Sequence, residues 1–439
     1  MKPAVKTGCL WGFAIILLLL AVACGVYSYF RGKAAPWPEP PNPPADLTFP
    51  HTALLKPDEI PLDNGYSALL EFGATLGNQP NWFEIRSECN AYRDGRFREH
   101  PTNFPTLVQL GKVAPELLDL WSTAANGPAW PDVVYYSFDE HVREIQAYIA
   151  HQSAMRMFEG DMKGLHKLLA DSLTVSTRFA QIPTGSNLNR GFMGTIQTMS
   201  FFKSPKLLAP LSDAELKQWQ MNFLDAAKVR SKTADILRYE YQRVPEMMIE
   251  VFENSASFGE YRTIEIPRVF LKPLGSDLDT TTKNIGVIYQ HLIAGIDDPS
   301  RSGIAEQFAR DINANSTYWL GDDPVGRQWV IKGMSSAEAL VHKDAIRRTM
   351  LHGAALMVAI ERYAKKKDVL PSTLNDLVPE ILPELPLDFL SETPFIYKPN
   401  PDETYLLYSR GPDRLDGGGV RDSDLIIRSR EHYPTKVAP

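Results

Sequence analysis

Cysteine is scarce in this chain, with three among 439 residues. Cys9 and Cys24 fall in one apolar run, so Cys89 stands alone outside it and no disulfide can staple the rest. Stability has to come from packing, for which a chain of this length with 44% apolar residues suffices. Short catalytic and nucleotide motifs are missing as well. There is no G-x-x-x-x-G-K-[ST], no G-x-G-x-x-G, no G-x-S-x-G, no C-x-x-C and no H-E-x-x-H. Basic charge is also lacking: with the four basic residues before Ala34 set aside, 42 basic residues face 53 acidic ones, a net of −11. No nucleic-acid partner is expected from that balance, and an anionic membrane surface is a poor fit.

What is present begins with an anchor, Met1 to Lys33. Lys2 and Lys6 precede a charge-free run from Cys9 to Phe30, long enough at ~1.5 Å per residue to cross a ~30 Å hydrocarbon core. Arg31 and Lys33 close it. An uncleaved transmembrane signal anchor competes with a cleaved secretory signal and with a lipoprotein signal whose cleavage box is Ala21-Val22-Ala23-Cys24. Gly25 to Phe30 continues the apolar run where a lipidated cysteine is usually followed by a polar tether, which favours the anchor over lipidation at Cys24. A short tail in front and a long body behind favour N-in, C-out, so the body is expected in the periplasm. From Ala34 to Pro50, prolines recur at 36, 38, 40, 41, 43, 44 and 50. This stretch is expected to be a stiff polyproline II linker, at ~3.1 Å per residue, holding the body off the membrane.

Residues 51–333 read as an α-helical body. Apolar stripes predict helices over Pro105 to Trp121, Asp139 to Phe158, Lys163 to Phe179 and Asp213 to Ala227. Ser212 and Glu215 have capping-box spacing, and Gly160-Asp161 marks the turn of an αα-hairpin. The hairpin faintly resembles a tetratricopeptide unit, although no sustained period follows. Ile264-Glu265-Ile266 and Val269-Phe270-Leu271, flanked by prolines, read as a connection. The body is similar to those of membrane-anchored proteins common in planctomycete and verrucomicrobial genomes.

Residues 334–439 change period. Ser335 and Glu338 form a second capping-box pair that predicts a helix start. Ile346, Met350, Gly353, Met357, Ile360 and Ala364 make one stripe, with Arg347, Arg348, Glu361 and Arg362 off it. Only His352 is polar between Leu351 and Ile360, so burial on most sides is expected. Lys365 to Lys367 suit the negative helix end, and Pro371 blocks continuation. Ser372 can cap a short second helix. Phe395 to Tyr397 and Thr404 to Ser409 then read as a hairpin, a Gly- and Asp-rich loop runs from Gly411 to Asp424, and a last strand follows at Leu425 to Ile427.

That order resembles the globular head of the major pseudopilin of type II secretion systems. The family's Tyr-Pro-Ser/Thr stands here as Leu370-Pro371-Ser372, its Leu-Pro-x-Asp-Pro-aromatic as Leu385 to Phe389 without the second proline, and its Ser-x-Gly-x-Asp as Ser409 to Asp413. The resemblance implies an α+β domain with a small antiparallel sheet, a link to secretion, and a Ca²⁺ in the acidic loop at Asp413 and Asp424. It stops at the N-terminus. Gly12 to Leu17 echoes a prepilin cleavage site, but Leu17 replaces its glutamate and Trp11 its basic residue, so polymerisation as a pilus subunit is not expected.

Read from the residues themselves, Asp413, Asp416, Asp422 and Asp424 alternate with glycines, which offers hard oxygen donors and a backbone able to turn carbonyls inward, as Ca²⁺ needs. A solvated turn held by Asx-type hydrogen bonds explains the same pattern. Elsewhere structural roles are expected: a core His352 donating to a carbonyl, His141 and His151 too far apart in phase for one metal, a buried and inert Cys89, and Glu240, Glu246 and Glu250 in helix ion pairs with Arg238 and Arg243. Asn315-Ser316-Thr317 matches a glycosylation sequon. The expectation is a mainly α, non-catalytic, membrane-anchored envelope protein for assembly or partner binding. The alternative is an extracytoplasmic hydrolase with its site in the helical body.

Overall fold

The structure, a computed structural model, describes residues 36–42, 44–49, 64–94, 99–128, 130–131, 139–253, 277–296, 299–314, 322–400, 404–411, 414–420 and 424–428. The chain is mainly helical, with one small antiparallel sheet. No helix among the described residues is long and apolar enough to cross a membrane. The expected anchor from Cys9 to Phe30 lies outside them, as do Ile264 to Leu271 and the sequon at Asn315.

Two compact units divide the chain, Met1–Pro50 with Thr233–Val341 and His51–Lys232 with His342–Pro439. This division departs from the expected boundary between 333 and 334. The cause is the helix Pro324–Lys367, whose 44 residues begin eleven positions before Ser335 and contribute to both units. Asp323 starts it: its carboxylate accepts the Gly326 N–H at 3.1 Å, and Pro324 follows at the first helical position, where a missing N–H costs nothing. A capping-box pattern inside a helix has no free N–H groups to satisfy, so Ser335 and Glu338 mark no boundary.

The first unit gathers the helices Thr233–Gln242, Val244–Glu253, Leu278–Ala294, Pro299–Ala314 and the start of the long helix around Leu237, Met248, Ile288, Leu292, Phe308 and Trp329. Trp37, Ala45 and Leu47 of the proline-rich stretch pack on the same core. The stretch described as a spacer from its composition is therefore engaged with its own unit.

The second unit has two cores. One joins the helices from Gly65–Gly77 to Met162–Gln181 around Phe72, Trp121, Tyr148 and Phe179. The expected helix Pro105 to Trp121 is two, Pro105–Val113 and Glu116–Asn126, because Pro115 cannot supply the N–H that a continuous helix needs. The αα-hairpin turn is as expected: Gly160 sits at φ 77°, which a side chain would strain, and Asp161 accepts the Gly164 N–H at 2.9 Å. Ser212 and Glu215 do form a capping box at the start of Asp213–Lys228.

The other core surrounds the C-terminal part of the long helix, where Leu351 and every residue from Ala354 to Ile360 are fully buried. One side meets the strands β1 (Ile396–Pro399), β2 (Tyr405–Ser409) and β3 (Leu425–Arg428), ordered β1-β2-β3 and antiparallel throughout, with Tyr397 opposite Leu407. Phe395, Tyr405, Leu407 and Ile427 lie in this core, and so do Leu169, Phe202, Leu216 and Phe223 of upstream helices. The helix is thus covered from both sides. At Gly353 an added Cβ would come within 2.7 Å of Ile427, so the helix and β3 pack with no room for a side chain. After Lys367 the chain turns, and the short second helix is a 3-10 turn, Leu374–Leu377, capped by Thr373 rather than Ser372: the Thr373 N–H donates to Asp376 at 2.9 Å.

Candidate functional site

Charged residues that fall off the apolar stripe of the long helix are not on a solvated face. Arg347 and Arg362 are buried, at 0% and 7% exposure. They face the helix Asp213–Lys228, whose two ends they clamp. At its C-terminus, where carbonyls lack helical partners, Arg347 donates to the carbonyls of Ala226 and Val229, and Arg348 donates to that of Ala227 at 2.8 Å. At its N-terminus, Arg362 grips Asp213 with two bonds of 2.8 and 3.2 Å and reaches Gln220 at 2.8 Å. Lys365 caps the preceding turn through the carbonyls of Ala209 and Leu211. The Arg362 bond and charge hold the Asp213 carboxyl below the usual carboxylate range. The spacing 347 to 362 matches the length of the clamped helix; the pairing itself is not visible in a stripe count.

The segment Leu385 to Phe389 is fixed to the same helix. Asp388, 1% exposed, accepts from Thr349 Oγ1 at 3.0 Å, from the Leu390 N–H at 2.9 Å and from Ser391 Oγ at 2.5 Å. His352 Nδ1 lies 2.7 Å from the Leu387 carbonyl, and its ring stands over Phe389. This bond requires Nδ1 to carry the proton, the expected donation to a carbonyl, but His352 is half-buried at the edge of the core and not inside it. Burial depresses its pKa, against the carbonyl bond, which favours the charged ring. Arg348 covers the other ring partner, 3.6 Å above the Phe389 centroid.

The acidic loop is closed by backbone donors. Asp424 Oδ2 accepts the N–H groups of Gly419 at 2.7 Å and Val420 at 3.0 Å, and Oδ1 accepts that of Gly417 at 3.2 Å. Asp416 Oδ1 accepts from Tyr408 Oη at 2.7 Å and from the Gly418 N–H at 2.9 Å, and its pKa falls for those two reasons in that order. Two N–H groups on Asp424 Oδ2 occupy the lone pairs with which that oxygen would meet a cation. Asp413 and Asp422 lie outside the described residues. Among the described residues no three His, Cys, Asp or Glu side chains converge as a metal set. The described part of the loop fits an Asx-type turn.

Comparison with family models, curated proteins and solved structures finds no match.

The remaining titratable groups singled out from the sequence are spread apart. His151 is fully buried with Nε2 2.8 Å from the Pro101 carbonyl, and burial depresses its pKa. His141 instead packs edge-on against Trp82, with 5.2 Å between ring centroids. Cys89 is buried, its Sγ 3.5 Å from the Glu144 carbonyl, and burial followed by the charges of Glu144 and Glu88 pushes the thiol pKa far up. Such a thiol is no nucleophile. Glu88 caps the helix Pro105–Val113, accepting the N–H groups of Thr106 and Leu107 at 3.1 and 3.0 Å. In the first unit Arg238 pairs with Asp235 at 2.8 Å rather than with a glutamate, and Glu246 is exposed. Burial raises the Glu240 carboxyl, opposed by Arg243.

Around the loop the surface is apolar in places. Leu415 is 69% exposed, Val420 55% and Leu387 60%. An ion pair of 3.4 Å between Arg414 and Glu392 ties the loop to the segment that carries Leu387. The arrangement presents apolar side chains on segments whose backbone is pinned by Asp424 and Asp388.

Proposed function

We propose that this chain is a non-catalytic, membrane-anchored envelope protein whose C-terminal helix and sheet form a pseudopilin-like head used for assembly or partner binding. The observation that carries the reading is the helix buried against a three-stranded antiparallel sheet, with Asp388 of Leu385 to Phe389 locked to Thr349. Residues of the resemblance occupy structural positions there: Pro371 accepts from Tyr397 Oη at 3.0 Å, and Ser409 Oγ accepts the Gly411 N–H at 3.0 Å. A role in binding rather than turnover is supported by how the charged groups are used. Arg347, Arg348, Arg362, Lys365 and Asp388 are committed to backbone and side-chain partners that fix helices, which leaves the pinned loop with Leu415 as the part presented outward.

The test uses the full chain in its own membrane. The body should resist alkaline extraction and be digested by protease added to spheroplasts. A photoreactive amino acid at Leu415 should give one discrete adduct, and the same group at the exposed Thr174, on the helix Met162–Gln181, should give none. A body released by osmotic shock would remove the anchor, and loss of the adduct at Leu415 would remove the binding surface.

A further inference from the structure

The proline-rich stretch meets the first unit at four points, two of them aromatic. Trp37 lies 4.8 Å from Phe308 between ring centroids, with the Arg327 guanidinium 5.5 Å from the Trp37 ring. Phe49 lies 5.5 Å from Tyr239. Between them the backbone supplies acceptors. The Glu39 carbonyl is 2.7 Å from His291 Nε2, and the Asp46 carbonyl takes the Arg238 Nε–H at 2.9 Å. From Ala45 to Phe49 burial alternates, with Ala45, Leu47 and Phe49 inward and Asp46 and Thr48 outward, the pattern of an extended strand on a surface. Leu47 sits where a Cβ on Gly286 would be 3.3 Å away, so that glycine leaves it room.

Proline has no N–H, so the extended stretch is held through its carbonyls and through the side chains between its prolines: donors meet the Glu39 and Asp46 carbonyls, and Phe308 and Tyr239 meet Trp37 and Phe49. Side-chain donors and aromatic rings are what this unit offers. The strand is also stiff before it binds, so docking loses little conformational entropy. We propose that the first unit is a docking module for extended strands that carry aromatic side chains spaced along a proline-rich backbone, and that the described residues 36–42 and 44–49 occupy it in cis. The stretch is then a strap and not a spacer. Six residues separate Phe30 from Trp37, seven steps of chain, which limits the tether from the apolar run to about 25 Å when fully extended, against the ~50 Å reach of a free linker. That distance rests on the anchor reading above; the docking does not, and both measurements below can be made in detergent.

The first measurement places p-benzoylphenylalanine at Phe49 in the full chain and maps the adduct by mass spectrometry. The expected product is an intramolecular link to the peptide containing Tyr239. A link to a second copy, or to any other helix, would overturn docking in cis. The second measurement adds a labelled peptide of residues 36–49 to the full chain. A chain carrying Trp37→Ala and Phe49→Ala should bind it at least tenfold more tightly than the wild type, whose site is filled. The peptide carrying Trp37→Ala should lose at least tenfold. Equal binding by the variant and wild-type chains, with unchanged thermal midpoints, would overturn the proposal. If the variant chain fails to fold, the crosslink in the otherwise native chain decides.

Discussion

Replacing Arg362 by methionine keeps the length and packing of the side chain and removes its charge and donors. The cost can be worked out from the partners left behind. Asp213 is 65% exposed, so water replaces the lost bonds and this pair accounts for ~0–1 kcal/mol. Gln220 is 4% exposed, and its Oε1 loses the 2.8 Å bond from Arg362 with no water to take over, which costs about 1–3 kcal/mol. Arg362→Met should therefore destabilise the chain by about 1–4 kcal/mol, most of it at Gln220 rather than at the ion pair. Adding Gln220→Leu removes the stranded acceptor but strands the Ile381 carbonyl, whose donors are Gln220 Nε2 at 3.2 Å and Arg362 Nη1 at 3.3 Å, so the double variant should match the single one within about 1 kcal/mol. Lys365→Ala, at an exposed position, is the control and should cost ~0.5 kcal/mol. Urea unfolding of the full chain, followed by circular dichroism, measures all four. A cost under 1 kcal/mol for Arg362→Met would refute the assignment of the loss to Gln220.

Three further outcomes follow from the same packing. Gly353→Ala should destabilise by about 1–3 kcal/mol through the clash with Ile427, in spite of a gain of about 1 kcal/mol in helix propensity, and Ile427→Val should relieve part of it in a double-mutant cycle. Burial lowers the His151 pKa, so its contribution is complete above the unfolded value near 6.5 and is lost as pH falls below it toward the folded value; His151→Gln should flatten the stability profile on the acid side of about pH 6.5. Asp424→Ala should lower the thermal midpoint equally in EGTA and in millimolar calcium, since three backbone N–H groups lose their acceptor either way, whereas a wild-type midpoint that rises with calcium would return the loop to the cation site its composition suggests.

Period and punctuation carried most of the fold. The strands at 396–399, 405–409 and 425–428 lie where β-branched and aromatic runs interrupt a helical text, and the helix ends at Lys367, as the lysine run and Pro371 require. Local signals failed where a longer-range one competed. Ser335 carries the residues of a cap, but Asp323 and Pro324 start the helix earlier, and a cap motif inside an unbroken helix satisfies nothing. For the site, the bond of His352 to a carbonyl was legible because one polar residue in an apolar run must find an acceptor, although the one it finds, Leu387, lies 35 positions on. Arg347 and Arg362 were not, because stripe analysis assigns a residue to a face and leaves open what covers that face. Their acceptors on the clamped helix lie more than a hundred positions away in the chain.

The proline-rich stretch shows the same limit from the other side. Its stiffness follows from composition alone, and a stiff segment next to an apolar run is reasonably read as a spacer. Stiffness, however, comes with an unpaired backbone: each carbonyl from Pro36 onward is an acceptor with no partner of its own in the strand. In water those acceptors are solvated and the segment stands free. Beside a unit that brings His291 and Arg238 to the right carbonyls and offers Phe308 and Tyr239 to its two aromatic residues, the same carbonyls become the means of docking. Which outcome holds depends on donors some two hundred residues downstream, at positions where an arginine and a histidine on helices look like ordinary surface residues. Composition sets what such a strand can do, and only the partner surface decides whether it does so.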